Sequence, residues 1–448
     1  MTEQSAEVVI VHAIDTEGPL YESLEAKFER LQGLFGITDI DPTPENLKKL
    51  QRGDLDLGGV EAKVKEVLNG HLLAYNDTYD KIDRMLEELM SDEFRMRQPD
   101  SYGSGWKFTW HCLDHVGYDY NPRRRDMGYH NVFDHYRGWV DQFPKYRDEI
   151  QWHFHPMSIF ADAHRCATAY FRNDLVFQIL CRKIIERNWF PSAFRAGFQA
   201  ERPDSHWFLE QWIPFDITNM AVEDPNHFDA TIDFRLGRSG DWRRAPADWS
   251  VYHPSHDDYQ SPGNCRRWVG RALNVMNRLA SIDQYETDKA FAKAQSEQSR
   301  VLLGVTGHDF RNLATEVEHV RGLIAQSALK YPDVAFRYAT VREGFRLVLW
   351  GNKLNEIPLQ LEAELQDKPS DDVPHIIIRA RQGKVFGPQP FLAIQTVSRR
   401  FFHDNLDFIS KGVWGYAFHA DTLPMEDVAI LAVAANDAYG NTCVIKVL

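Results

Sequence analysis

From Trp106 to Trp350, short apolar runs of strand length alternate with longer runs in which apolar residues recur every three or four positions. A chain so patterned has few ways to bury both kinds of segment. The strand-like runs fall at about 106–111, 149–153, 192–195, 215–220, 301–306 and 333–338. The helix-like runs lie between or after them, at 132–143, 174–187, 206–212, 314–330 and 341–350. Alternation of this kind implies parallel strands joined by helical crossovers, in an open sheet or a barrel. An earlier buried strand at 8–14 begins the series. Residues 20–98 are helical in period, with Leu24, Phe28, Leu31 and Leu34 and then Tyr79, Ile82, Met85, Leu86 and Leu89, so they form a long insertion after the first strand.

The texture changes near residue 355. Beyond it come short β-like runs separated by turn signals such as Asp437-Ala438-Tyr439-Gly440-Asn441, with no convincing helix. The expectation is an α/β chain in two domains: residues 1–352, a (β/α) unit with a helical insertion at about 20–100, and residues 355–448, a small all-β sandwich of immunoglobulin-like type. At 448 residues, two domains are also what core size predicts.

Bulk composition excludes some functions. With 51 Lys and Arg against 65 Asp and Glu, the net charge of -14 disfavours a protein that tracks nucleic-acid phosphates. No apolar run approaches the roughly 18 residues of a membrane span. The start, Met1 to Glu7, is polar and acidic and does not read as a signal peptide. The five cysteines are scattered without a Cys-x-x-Cys pair, which indicates neither a disulfide framework nor a thiolate zinc site. The reading is a cytoplasmic protein with reduced thiols, and nothing in the sequence excludes a homo-oligomer.

The chemistry begins where the first strand ends, at Asp15-Thr16-Glu17-Gly18-Pro19. Side chains at i and i+2 of an extended chain point the same way, so Asp15 and Glu17 share one pocket. Two carboxylates held together call for a cation. Trp152-His153-Phe154-His155-Pro156, at the end of another strand, supplies imidazoles on one side of the chain. A carboxylate and two imidazoles make a three-ligand site with a position left for water. His-x-His alone means little, since 18 histidines in this length produce about 0.7 such pairs by chance. Its weight comes from the company it keeps. His111, Asp114 and His115 follow one strand, Ala193-Phe194-Arg195-Ala196-Gly197 closes another, and Thr306-Gly307-His308-Asp309 closes a late one. Barrel enzymes gather their chemistry at such strand ends.

In this order, Asp-x-Glu, paired His, Phe-Arg-Ala-Gly and a late His-Asp, the chain resembles the polysaccharide deacetylase family, the NodB-like carbohydrate esterases, in its branch with a His-x-His-Pro second motif. The resemblance spans about residues 8–350 outside the insertion, and it implies a distorted (β/α) barrel of about seven strands. It also implies Glu17, His153 and His155 as ligands of a divalent metal, zinc first, and Asp15 as general base held by Arg195. His308, backed by Asp309, would be the general acid. Two departures touch the ligands: Thr16 separates carboxylates that the family usually has adjacent, and the histidines are two residues apart where four is commoner.

Substrate-binding candidates are His111, Asp114, His115 and His253 of Tyr252-His253-Pro254-Ser255, with Trp152, Trp106 and Trp110 as platforms for a sugar ring. Arginine runs at 123–125, 243–244 and 266–267 could hold the phosphate of an activated sugar, although loop arginines are commonly just solvated. The expected activity is metal-dependent removal of an N-acyl group, acetyl first, from an amino sugar or glycan precursor. The expected partner is a small carbohydrate or activated sugar. Hydrolysis of a non-sugar linear amide and metal-free glycan binding are the alternatives.

Overall fold

The computed structural model describes residues 6–163, 165, 169–223, 239–277, 279–351, 357–366 and 373–448. Ten-residue β1 (Glu7–Thr16) is buried along its whole length. Its neighbours explain why. β7 (Arg300–His308) pairs with it from Glu7 to Asp15. The other edge is shared: β8 (Ala335–Ala339) lies beside Glu7 to Val11, and β2 (Thr109–Cys112) beside Ala13 to Thr16. The β1–β2 pairing closes a ring completed by β3 (Glu149–Phe154), β4 (Ala193–Ala196), β5 (Phe215–Asn219) and β6 (Trp268–Asn274). The result is a closed parallel barrel of seven strands, distorted because β8 wedges in below the short β2. The expected barrel is therefore present, with β6 as a strand the sequence reading missed.

Period-2 alternation sorts the side chains of these strands. Val9, Val11 and Ala13 belong to an inner cluster with Ala193, Phe215, Ile217, Ala272 and Leu302, and the helix Val341–Trp350 lays Phe345 against it. Val8, Ile10 and Ile14 pack outward with Trp106, Phe108 and Trp110 and with the helices Tyr79–Met90 and Leu313–Lys330. Trp152, Phe154, Phe194 and Ala196 likewise face outward, against the helix Leu175–Arg187. The inward rows of β1, β3, β4 and β7 thus end on Asp15, His153, Arg195 and His308.

The insertion begins with the helix Leu24–Phe35, capped by the Ser23 hydroxyl, which accepts from the Ala26 amide at 3.1 Å. Its Phe28 and Leu31 form a small core of their own with Leu50, Val64 and Leu68.

The C-terminal strands build two antiparallel sheets. β9 (Gln360–Gln366), β10 (His375–Gln382), β13 (Asp407–Ser410) and β14 (Val413–Ala417) run in the order β13-β14-β10-β9. β11 (Phe391–Thr396), β12 (Phe401–Asp404), β15 (Val428–Asn436) and β16 (Thr442–Lys446) run β12-β11-β15-β16. Ile376, Ile378 and Trp414 from one sheet and Leu392, Ile394, Leu431 and Val433 from the other fill one core. This is the two-sheet order of an immunoglobulin-like sandwich. The second sheet also packs on the barrel side: Phe391 meets Phe190 and Trp212 at ring-centroid distances of 5.7 and 5.2 Å. Residues 352–356, where the sequence reading places the connection, lie outside the described residues, as does Cys166. Cys112, Cys181, Cys265 and Cys443 are free thiols. Among the described residues, no helix is long and apolar enough to cross a membrane.

Candidate metal centre

Glu17, His153 and His155 turn their ligand atoms toward one point, all within 4.8 Å of one another. The two Nε2 atoms are 3.1 Å apart, and Glu17 Oε1 lies 3.5 Å from that of His155 and 3.9 Å from that of His153. Donors on a tetrahedral ion with bonds of about 2.1 Å sit about 3.4 Å apart, so the spacing fits one small divalent ion. The tautomer fits too. His153 Nδ1 is 2.8 Å from the Arg195 carbonyl, which can only accept, so Nδ1 carries the hydrogen and Nε2 presents its lone pair to the site. Burial, reinforced by the neighbouring His155, holds the His153 imidazole well below its ordinary pKa and therefore neutral.

Glu17 is held ionised. Burial alone would raise its pKa, but the Arg124 guanidinium paired with Oε2 and the facing His155 more than offset this and keep it well below the carboxylate range. Arg124 also donates to the Gly18 and Pro19 carbonyls, at 2.9 and 3.2 Å. His155 depends on a glycine. A Cβ on Gly197 would lie 2.0 Å from His155 Cδ2 and 2.8 Å from its Cα, so only glycine leaves room for the ring there.

Asp15 sits below this group. Arg195 Nε donates to its Oδ1 at 2.5 Å, and His308 Nε2 stands 3.6 Å from Oδ2. Arg195 is fully buried and also donates to the Ile217 carbonyl at 3.0 Å. His308 has its pKa lowered to about 4, chiefly by burial, against the opposing pull of Asp15.

Asp309 has another task than the one expected. Its carboxylate accepts from the amides of Glu17 and Gly18, at 2.9 and 2.8 Å, and from the Tyr136 hydroxyl at 2.9 Å. It clamps the loop that carries Glu17 and makes no hydrogen bond to His308. Burial nevertheless pushes its carboxyl up to about 7.

Asp15, Glu17, His115, His153, His155 and His308 line one cavity of about 240 Å³. His115 approaches the Glu17 carbonyl at 2.7 Å through Nε2, so it braces the same loop. The other substrate-binding candidates do not reach the cavity. His111 lies fully buried beneath it, with Nδ1 3.3 Å from the Trp152 carbonyl. Asp114 pairs with Lys183 at 3.1 Å and accepts from the His130 amide. His253 packs its ring on Trp268 at 3.4 Å. Trp152 is 1% exposed and sits among Phe154, Phe194 and Phe208, because its neighbour His153 takes the inward position and period 2 sends Trp152 out. Trp106 and Trp110 are buried on the outer face for the same reason. Of the arginine runs, Arg267 is locked among Glu201, Asp216 and Glu210, and Arg243 and Arg244 pair with Asp241 and Asp258. Arg123 and Arg124, from the run offered as a holder of a sugar phosphate, do line the cavity, and they are joined there by Arg30, Tyr75, Tyr118, Phe310 and Arg311, to which the sequence reading gave no role in the site.

No protein-family model, curated protein or solved structure matches this chain. The seven-strand parallel barrel and its buried Glu-His-His group are consistent with a NodB-like fold, and the group could hold a divalent metal.

Proposed function

We propose that the chain is a metal-dependent hydrolase that removes an N-acyl group, acetyl first, from an amino sugar or glycan precursor. The observation that carries this reading is the placement of Asp15 between Arg195 and His308, directly under the three-donor group at the open end of the barrel. A divalent ion held by Glu17, His153 and His155 would lower the pKa of a bound water to about 7 and polarise an acyl carbonyl. Zinc suits two imidazoles and one carboxylate.

The chain's own residues manage the proton. Asp15 takes it from the attacking water, and Arg195, which donates to Oδ1, fixes the carboxylate's position. His308, 3.6 Å away, receives the proton from Asp15 and delivers it to the departing amine. That relay allows a histidine that is neutral before reaction to serve as the acid. Leu20, Arg30, Leu34 and Tyr75 of the insertion line the cavity, which favours a substrate of small size over an extended polymer. At about 240 Å³ the space lies below the roughly 300–1,000 Å³ of pockets for drug-sized ligands.

The test separates two carboxylates only two residues apart. Asp15→Asn should keep bound zinc yet lose acetate release from an N-acetyl amino sugar by about 10² to 10⁴. Glu17→Gln should lose the metal. Zinc lost from Asp15→Asn alone would reverse the assignments, and full activity in both would sink the mechanism.

A further inference from the structure

Directly after His155 the chain does something a soluble protein avoids. Pro156, Met157 and Ser158 are buried, and then Ile159 and Phe160 emerge side by side, 54% and 58% exposed. They hold the two corner positions of a turn closed by the Ala161 amide, which donates to the Ser158 carbonyl at 3.0 Å. Such corners ordinarily go to Gly, Pro, Asn or Asp. Single exposed apolar residues need no explanation, but two large ones at a turn tip do.

The turn is also held rigidly. Ser158 Oγ donates to the Asp162 carbonyl and accepts from the Asp162 amide, both at 3.1 Å. Ala161 takes φ 49°, a left-handed conformation that alanine adopts only where its surroundings compel it. Arg165, paired with Asp162 at 3.2 Å, lays its guanidinium over the Phe160 ring at 4.3 Å. An apolar surface already ordered in this way binds a ligand with little further loss of side-chain freedom.

The turn is continuous with the cavity. Five residues from His155, Phe160 can stand at most about 18 Å away. The Asp119 amide donates to the Ala161 carbonyl at 2.8 Å and the Ala163 amide to the Tyr120 carbonyl at 3.0 Å, which joins the turn to a second loop. Tyr118 and Asn121 of that loop, and Ala163 beyond the turn, line the cavity, while Tyr120 between them is 53% exposed. A group attached to a sugar that fills the cavity of about 240 Å³ therefore leaves it beside these loops.

We propose that the turn Ser158–Asp162, with Tyr120, is a subsite for an apolar aglycone, an alkyl or aryl group joined to the acylated sugar. A second sugar ring would call for hydrogen-bonding groups beside an aromatic face, and Ile159 has none to give. The proposal rests on the amino-sugar reading of the cavity, but a preference for an apolar group can be read without turnover. The experiment titrates the zinc-loaded full chain in a calorimeter with the methyl and octyl glycosides of N-acetylglucosamine, and with octyl glucoside, all below the micellar range. It repeats the titrations on Phe160→Ser and on the double variant Ile159→Ser/Phe160→Ser, each checked for bound zinc and thermal unfolding. The octyl N-acetyl glycoside should bind at least tenfold more tightly than the methyl one, and this ratio should fall fivefold or more in a variant that keeps its zinc and its fold. An octyl glycoside that binds no better than the methyl one would overturn the proposal, as would a ratio that survives both substitutions. Sedimentation with phosphatidylcholine vesicles separates the remaining occupant: vesicle binding lost in the variants, with the glycoside ratio unmoved, would make the turn a membrane anchor and overturn the subsite. Absence of acetate release from either N-acetyl glycoside, with the octyl preference present and lost in the variants, would refute the hydrolase reading and leave the subsite standing.

Discussion

At the scale of single residues, the site follows from strand periodicity, and so does the clearest error in reading it. Asp15, His153, Arg195 and His308 were legible because each falls on the inward row at the last residues of a parallel strand. Trp152 stands beside His153 in the sequence and for that reason on the opposite face, which adjacency conceals. Asp309 was misread in the same way: next to His308, it turns to the amides of Glu17 and Gly18. Gly197 gives a prediction at this scale. Gly197→Ala puts a methyl group against the backbone and ring of His155, neither of which can yield without moving a metal donor. Zinc affinity should fall by about 10- to 100-fold, as when outer groups that orient a ligand are lost. The thermal midpoint of the metal-free variant should stay close to that of the metal-free wild type. Unchanged zinc affinity would mean that His155 is not held where the structure puts it.

At the scale of elements, long periodic helices and strands with two buried faces were readable, and elements with mixed or exposed faces were not. The helices of the insertion emerge with the expected buried residues, Phe28, Leu31 and Leu34 and then Ile82, Met85, Leu86 and Leu89. β6 escaped because Gly270 and Arg271 interrupt its apolar run. Both have structural reasons: a Cβ at Gly270 would meet Phe345 at 2.8 Å, and Arg271 is tied to Glu286 at 2.6 Å. β9 and β13 are sheet edges, and β13 is exposed at all four residues, so no apolar pattern marks it. The helix Leu313–Lys330 illustrates a different conflict. Its first turn brings Glu316 against Gly307 of β7, fully buried, with neither carboxylate oxygen finding a hydrogen-bond partner among the described residues. His71 stands 3.9 Å away with its own pKa lowered, chiefly by burial, and Arg311 supplies the opposing positive charge. Burial wins over the attraction of Arg311 and raises the carboxyl from 4.5 to about 8. A raised carboxyl pKa means the folded state holds the proton more tightly. Its contribution is full below about pH 4.5 and is lost as pH rises through about 8. Glu316→Gln stays neutral, so its stability relative to wild type should climb across that window by on the order of a few kcal/mol. Denaturant unfolding of both proteins at pH 5 and pH 8.5 measures it, and an equal gap at the two pH values would refute it.

At the scale of the molecule, the change of texture near residue 355 announced the sandwich but not its docking. The clue lay in the helix Leu175–Arg187, which is apolar on more than one side: Val176, Ile179, Leu180, Cys181, Ile184 and Ile185 are all buried. A surface helix needs one apolar stripe, so a wider one implies cover on both sides. Here the barrel lies on one side and the second sheet on the other. His403 of β12 sits in that seam, stacked between Phe391 at 4.2 Å and Phe177 at 5.3 Å, with Trp212 edge-on at 5.1 Å. Its Nδ1 donates to the Leu392 carbonyl at 2.8 Å, while Nε2 finds no partner among the described residues. Burial lowers its pKa from 6.5 to about 4, against the milder opposing effects of the Leu392 carbonyl and Asp404. Folding therefore favours the neutral ring. Its stabilisation is complete above about pH 6.5 and is lost as pH falls through about 4. A shift of that size corresponds to about 3 kcal/mol. Other buried histidines, among them His12, His111 and His115, are depressed as well, so acid weakening of the wild type alone would not identify His403. The difference from His403→Gln does. That variant loses ring packing equally at every pH but cannot take up the proton, so its stability should fall less steeply than that of wild type between pH 7 and 4. Denaturant unfolding, followed by tryptophan fluorescence to include Trp212, gives both slopes. Parallel curves would show that His403 does not couple the seam between sandwich and barrel to pH.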